Sequence, residues 1–553
     1  MSRVDGWLLA GAAILATAAL ASGLGRTDLW APDEPRVAEI AREMSAGASW
    51  VIPTLNGRPF VEEPPLFYWL QGSLYRLVGA PSTVAARVPA ATAAIAGVVV
   101  TAALAARLGA SPVLAALVLA SVPEYWWMAR SATPDTTATL GTTLGLAGFF
   151  VAWRSGRRAP LVATAGAIGL AFACKSLLPV GLAVLAAGAF VAGAGVGRLS
   201  VAAVAWTVTG VAAVTAAWVA LLAARLGVGA AGFFLFANHL GRLVGIEAEG
   251  HVRSPLYYLA NLSLDAFPWS LVLPAAAVAA WRARALPECR FPLFWAAAML
   301  IGLTLSASKR AHYLLPAYPA FAILIARWWP QAWDARPDRI SRRLMVVSLA
   351  AVGPLLALVL LGIPAAEFAA AAHRLRSLPA VSVAALSGWS PTVAGAVVAT
   401  CLALAGLPLL GADHHGNMAR TATVMGAYLA AVHLLLVLVV LPRLNPLATS
   451  RPEAERLGRL AAQGVRVVAF RPGDSQTLSP ILFYARRELP EIESAERLRA
   501  EMGAGPACAL IRAEDQAALA DSLPGSPVRG GVLPGSRFVL LETAPGLCTA
   551  DRP

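Results

Sequence analysis

The stretch "LWAPDEPRVAEIAREM" occupies residues 29–44 and follows the first long apolar run, near Trp7 to Leu24. It sets two adjacent carboxylates, Asp33 and Glu34, between Pro32 and Pro35, then continues as an amphipathic helical pattern. Flanking prolines predict an extended, stiff backbone through the turn. A carboxylate on such a turn suits a general base acting on an acceptor hydroxyl or amine. The competing reading makes Asp33 the N-cap of a helix starting near Pro35, with Glu39 and Glu43 on a solvated face. A rigid acidic turn just beyond an apolar run calls for a reading of what surrounds it.

The surroundings are apolar. Of 553 residues, 58% are hydrophobic and only 14% charged, against about one quarter charged in soluble proteins. Apolar runs near 20 residues recur along the chain, which excludes a soluble protein with an oversized core. Helices are the expected spans, because lipid leaves no partner for open backbone groups and the alternation of a membrane barrel is absent. The formal net charge of +13 does not indicate nucleic acid. The arginines form short clusters between apolar runs, the pattern of cytoplasmic loops, and the charge suits anionic lipid or lipid phosphate. No CxxC and no Cys/His set with zinc spacing accompanies the five cysteines. The first run is expected to be a retained span rather than a cleaved signal.

Hydropathy predicts about thirteen spans: 6–24, 84–105, 112–129, 136–153, 160–177, 178–194, 200–223, 256–281, 291–307, 312–329, 343–363, 390–411 and 421–441. With the N-terminus cytoplasmic, the clusters at Arg154–Arg158, Arg282–Arg290 and Arg327–Arg343 fall inside and the C-terminus falls outside. The unusual polar stretches then share the outer face: Asp33–Glu34, the loop 56–65, Asp135, Lys175, the loop containing "RLVGIEAEGHVRSP", and "SASKRAHY". Such convergence predicts a site at the outer interface. The predicted architecture is mainly α: a polytopic transmembrane bundle over 1–444, with a first extracytoplasmic loop at 25–83. Residues 445–553 read as a small extracytoplasmic α/β domain, with strands 465–470, 507–512 and 537–542 alternating with helices 479–487, 494–502 and 514–522. Cys508 and Cys548 lie on the oxidising side, where a disulfide is allowed if their Cα atoms are close.

Each polar stretch has a functional and a plainer reading. In "NGRPFVEEPPLFYWL" (56–70) the Asn-Gly pair predicts a tight turn. The aromatic segment after "EEPP" predicts a helix on the bilayer surface or a re-entrant segment, or simply an anchored loop. Asp135 in "ATPD" stands at a span start and could be only a cap. Lys175, inside apolar sequence, is either a cation facing phosphate or a snorkelling side chain. In 236–258, carboxylates and histidines offer weak divalent-metal ligands, and Arg253 suits an anionic headgroup. Glu62 and His251 are the metal candidates; the sequence establishes no cofactor. "TLSASKRAHYLLPAYP" (304–319) places Lys309, Arg310 and Tyr313 between two spans on the face where excess cations are not expected, as befits a phosphate or pyrophosphate site.

These residues carry a resemblance. "PDEPRVAEIAREMSAGASWVIPTLNGRPFVEEPPLFYWL" is similar to the first extracytoplasmic loop of bacterial aminoarabinose transferases and of the dolichyl-phosphate-mannose–protein mannosyltransferase superfamily. "TPD" followed by "CKSLLPVGL", and "SASKRAHYLLPAYPA", resemble further hallmarks in the same order. The resemblance implies a C-type membrane glycosyltransferase of the bacterial inner membrane. Such an enzyme takes a sugar from a polyprenyl-phosphate (undecaprenyl-phosphate) carrier and passes it to a lipid, glycan or protein acceptor on the outer face, as in lipid A modification. It implies Asp33 as general base, Glu34 shaping the turn, and Asp135 as a second acid near the same cavity. It also implies Lys309, Arg310 and Tyr313 facing the donor phosphate, and inversion at the anomeric carbon without a covalent sugar–enzyme intermediate. Two departures stand out. Glu63 replaces the lysine of the family's "EKPPL" and would repel that phosphate. Either Lys175 or Arg58 then supplies the cation, or the donor sits differently, so aminoarabinose and lipid A are not fixed as the specific substrates by the resemblance. Ser176 follows Lys175 where the family often has glycine, a change expected to matter little. The competing classes are a polyprenyl-lipid flippase or exporter, which would place ionisable groups at mid-span between pseudo-symmetric halves, and a homologue that binds carrier lipid without turnover.

Overall fold

The apolar runs fold as helices in a computed structural model. It describes residues 3–195, 201–244, 252–332, 418–473, 475–515, most of 533–548, and isolated positions 347, 350 and 519. The expected spans 343–363 and 390–411, and most of the expected helix 514–522, lie outside the described residues. Among those described, five helices are long and apolar enough to cross a membrane, or six if Pro112–Ser121 and Pro123–Ala129 count as one span bent by 73°. The count of thirteen is therefore not reached here. The run at 256–281 is broken into helices Tyr257–Asp265 and Leu273–Arg282 by Pro268 and a short 3-10 turn. The run at 312–329 begins as a 3-10 segment, Ala311–Ala317. The division of 160–194 holds: helices Ala159–Lys175 and Leu177–Ala194 meet at Ser176.

Two compact units form. The first comprises Met1–Gly23, Val61–Phe67 and Val88–Val437. Its site is positioned by a close pair of helices, Asp135–Ser155 and Ala159–Lys175. Glycines repeat along the first helix at Gly141, Gly145 and Gly148. A Cβ at Gly141 would stand 2.7 Å from the Ala167 carbonyl oxygen, and one at Gly145 would stand 2.5 Å from Ile168 Cδ1. Small residues at this spacing let two helix backbones approach in an apolar medium. The threonines between them return their hydroxyls to backbone: Thr142 Oγ1 donates to the Ala138 carbonyl at 2.9 Å and Thr143 Oγ1 to that of Thr139 at 2.8 Å. These two hydroxyls of helix Asp135–Ser155 are thus satisfied within it, while Thr137 Oγ1 and Thr139 Oγ1 are buried without a partner among the described residues.

The second unit joins Leu24–Phe60 and Tyr68–Arg87 to Leu438–Pro553, so its residues do not follow a linear cut at 444/445. Strands β1 (Thr54–Leu55) and β2 (Arg58–Pro59) form a hairpin. Its two central residues, Asn56 and Gly57, have φ of 53° and 72°, the double positive-φ turn that Asn-Gly favours. A Cβ at Gly57 would also come within 2.8 Å of Glu488 Oε2. Farther on, β3 (Arg466–Phe470), β4 (Glu491–Ile492), β5 (Ala507–Arg512) and β6 (Phe538–Glu542) make one sheet in the order β4-β3-β5-β6. β3 pairs parallel with β4 and β5, and β6 runs antiparallel to β5. Val468, Phe470, Ala509, Ile511, Val539 and Leu541 bury one face beside Leu498 of helix Ala495–Gly503. Cys508 and Cys548 form a disulfide with Cα atoms 5.9 Å apart.

Candidate functional site

In the first unit, the close approach of the two helices sets Asp135, the first residue of one, against Lys175, the last residue of the other. The Lys175 ammonium donates to Asp135 Oδ1; the Asp135 side chain is buried and that of Lys175 mostly so. His312 Nε2 stands 4.0 Å from the same carboxylate. Lys175 Nζ lies 5.7 Å from the centre of the Tyr313 ring. The Glu63 charge also acts on Lys175, so the cation faces two acids. Asp135, Thr139, Lys175, Leu178, His312 and Pro316 help line a cavity of about 10 Å³, the room of one water molecule. A larger ligand needs these side chains to move.

Ser176 holds the break between the helices at φ 89°, ψ −153°. This is a region almost reserved for glycine, so the replacement expected to matter little places a side chain in strained backbone. Its hydroxyl and the Leu177 amide both donate to His239 Nε2, at 2.8 and 3.4 Å. His239 Nδ1 in turn meets the Phe234 carbonyl, which makes it the protonated nitrogen of a neutral ring. His239 belongs to a π-helical segment, Phe233–Gly241, whose Asn238 donates to the Glu62 carbonyl at 2.7 Å.

The second unit holds the acidic turn. Its backbone is helical, not extended: the helix runs Asp33–Ser45, with Pro32 rather than Asp33 at the N-cap position. Pro32 adopts αR angles, and a proline in the first helical turn leaves no interior backbone bond unmade. Asp33 pairs with Arg36 at 2.8 Å, and Arg36 also donates to Gln476. Glu34 is held by Arg87. Nε and Nη2 reach its two oxygens at 2.8 Å each, while the guanidinium also donates to the carbonyls of Leu24, Thr27 and Asp28 at 2.7, 2.8 and 2.7 Å. Trp30 N donates to Glu34 Oε2 at 3.0 Å. Glu39 and Glu43, expected on a solvated face, are buried. Glu39 takes both Arg42 Nε and Nη2, at 2.6 and 2.7 Å, and burial lifts its carboxyl to about 7 against the pull of Arg42. Glu43 accepts from Asn56 N at 2.6 Å and Thr54 Oγ1 at 2.5 Å, which fixes the hairpin.

The remaining predicted residues divide. Lys309 is buried with its ammonium turned to the carbonyls of Ser306 and Arg253, and it does not line the Asp135 cavity. Arg310 precedes the 3-10 segment, and Arg253 is exposed. Arg58 pairs with Glu491 at 2.9 Å within the second unit, so of the two cations suggested to offset Glu63, Lys175 is the one that feels it. His251 lies outside the described residues, and among those described no three His, Cys, Asp or Glu side chains approach closely enough to hold a metal. Sequence reasoning missed Arg87, whose only local signal is a charge at the edge of an apolar run.

Residues 62–223 match the family model described as dolichyl-phosphate-mannose-protein mannosyltransferase. Over these residues the chain is similar to that superfamily. The undecaprenyl phosphate-alpha-4-amino-4-deoxy-L-arabinose arabinosyl transferase 1 of Sodalis glossinidius is 28% identical over 56% of this chain and 57% of its own. The corresponding transferase of Pseudomonas paraeruginosa is 30% identical over 55% and 56%. The chain thus aligns with a little over half the length of these relatives. The crystal structure of ArnT from Cupriavidus metallidurans bound to undecaprenyl phosphate superposes over 99% of both chains with a TM-score of 0.76 at 22% identity, which shows a shared fold.

Proposed function

We propose that this protein is a membrane glycosyltransferase that moves a sugar from a polyprenyl-phosphate carrier to a lipid, glycan or protein acceptor. The observation that carries the reading is the buried Lys175–Asp135 pair with His312 beside it. Both partners fall within the residues matched to the mannosyltransferase model, and the relatives are named for transfer from an undecaprenyl-phosphate sugar. A lysine buried among apolar helices costs about 2.5–3.5 kcal/mol on insertion scales, and its anionic partner offsets that cost. Lys175 is the cation that receives the donor phosphate, and Asp135 with His312 holds it in place. Asp33, kept on its turn by the neighbouring Glu34–Arg87 pair, takes the proton from the acceptor hydroxyl or amine. The acceptor atom attacks the anomeric carbon as the carbon–phosphate-oxygen bond breaks, and the phosphate leaves on the carrier with inversion. The Cys508–Cys548 disulfide supports an oxidising, extracytoplasmic location for the second unit, and hence chemistry on the outer face of the inner membrane.

The test is sugar release from a panel of radiolabelled polyprenyl-phosphate sugars in membranes holding the wild type or Asp33→Asn. Donor consumption by the wild type, lost in Asp33→Asn, supports transfer and its base. Consumption equal in both removes Asp33 from the chemistry. No consumption of any donor with crude membrane acceptors present moves the reading to carrier-lipid binding or transport.

A further inference from the structure

A second, larger cavity of about 310 Å³ lies within the first unit, beside the bend between helices Pro112–Ser121 and Pro123–Ala129. It shares no lining residue with the Asp135 cavity. Its walls are Trp126, Trp127, Phe267 and aliphatic side chains, interrupted by two carboxylates, Glu124 and Asp265. The Asp265 charge acts on Glu124, and no described cation is paired with either acid. Two further lining residues have buried nitrogens with no partner, Trp126 Nε1 and His433 Nδ1. Both side chains are nearly wholly buried, and they stack at 4.4 Å with ring planes 7° apart. Two acids without a cation and two unmatched ring nitrogens around one space call for a ligand that supplies what they lack.

The chemistry of the walls selects that ligand. The two carboxylates suit an ammonium group through charge-assisted hydrogen bonds; the Trp126 ring itself is already stacked on His433 and has the Arg130 guanidinium 5.4 Å from its centre. The Trp126 N–H can only donate, so it calls for an oxygen acceptor on the same ligand. A metal ion is disfavoured, because among the described residues no three His, Cys, Asp or Glu side chains converge. The mouth indicates the source. Leu264 and Trp127 line the cavity and are 59% and 39% exposed, so exposed apolar side chains border the opening, as suits a ligand with a lipid tail.

We propose that this cavity binds the headgroup of a primary-amine lipid, with the ammonium between Glu124 and Asp265 and a headgroup oxygen accepting from Trp126 Nε1. The site goes beyond the transfer reaction and stands or falls without it. The test uses the full chain, purified and exposed to equimolar phosphatidylethanolamine, phosphatidylcholine and phosphatidylglycerol, with retained lipid counted by native mass spectrometry. Phosphatidylethanolamine should be retained at least fivefold over phosphatidylglycerol, and over phosphatidylcholine, whose ammonium has no N–H. Glu124→Gln/Asp265→Asn should abolish the preference. Leu264→Trp, at an exposed position that does not challenge folding, should block the mouth and lower retention at least fivefold. Equal retention of the three lipids by the wild type, or a preference unchanged in a folded variant, overturns the proposal. Soluble phosphoethanolamine displacing the lipid at equal concentration overturns the assignment to a bilayer ligand.

Discussion

Replacing Arg87 with methionine tests whether the acidic turn is built for Asp33. The Arg87 guanidinium bridges both oxygens of Glu34 and caps three carbonyls between Leu24 and Asp28. Methionine fills similar space and removes every donor. Glu34 then remains buried without its cation, a change that costs about 3–5 kcal/mol when one partner of a buried pair is lost. The cost should fall locally, on residues 24–34, because the lost bonds all end there. Hydrogen exchange is the direct assay: each 1.4 kcal/mol is tenfold, so amides of this stretch should exchange roughly a hundred- to several-thousandfold faster. Donor consumption should fall toward the level of Asp33→Asn, since Asp33 sits inside the loosened turn. Arg87→Lys keeps the charge but not the fork that spans two carboxylate oxygens, so it should recover only part of the loss. Unchanged exchange at 24–34 in Arg87→Met would refute the structural argument. Fast exchange with full turnover would refute the link from turn to chemistry.

Other expectations follow from single features. Ser176→Gly should be more stable than Ser176→Ala by about 1–3 kcal/mol in thermal unfolding, because only glycine relieves the positive φ while both lose the bond to His239. Glu39 has a carboxyl raised by burial to about 7 from a usual 4.5. The folded state therefore binds the extra proton, and stability should decline as pH rises from about 4.5 to 7, by on the order of 3 kcal/mol, and level off above. Glu39→Gln should flatten that slope in a urea titration of the whole chain. Reducing the Cys508–Cys548 disulfide, which closes 40 residues of separation, should cost the second unit about 4 kcal/mol, read as a lower urea midpoint after reductant.

The features legible in the residues alone were local. Apolar runs marked helices, because one run of side chains is enough to state a preference for lipid. Short continuous apolar runs marked the strands around Val468, Ala509 and Leu540, because a strand buried on both faces carries no polar alternation. Asn56-Gly57 marked its turn, because the needed φ values belong to those two residues. The tertiary structure decided the rest, since pairing between distant residues leaves no period in a sequence. Arg87 meets Glu34 across 53 positions, and Lys175 meets Asp135 across 40. Arg58 is taken by Glu491, and Lys309 by backbone carbonyls. Proline flanks argued for an extended turn at 32–35, yet the turn is helical. A proline obstructs a helix only where an interior carbonyl awaits its missing N–H, and the first turn has none. The burial of Glu39 and Glu43 depends on the hairpin and the C-terminal segment folding with the helix that bears them. The hairpin follows within about a dozen residues, but the C-terminal segment lies hundreds of residues away in sequence and only the fold makes it a neighbour.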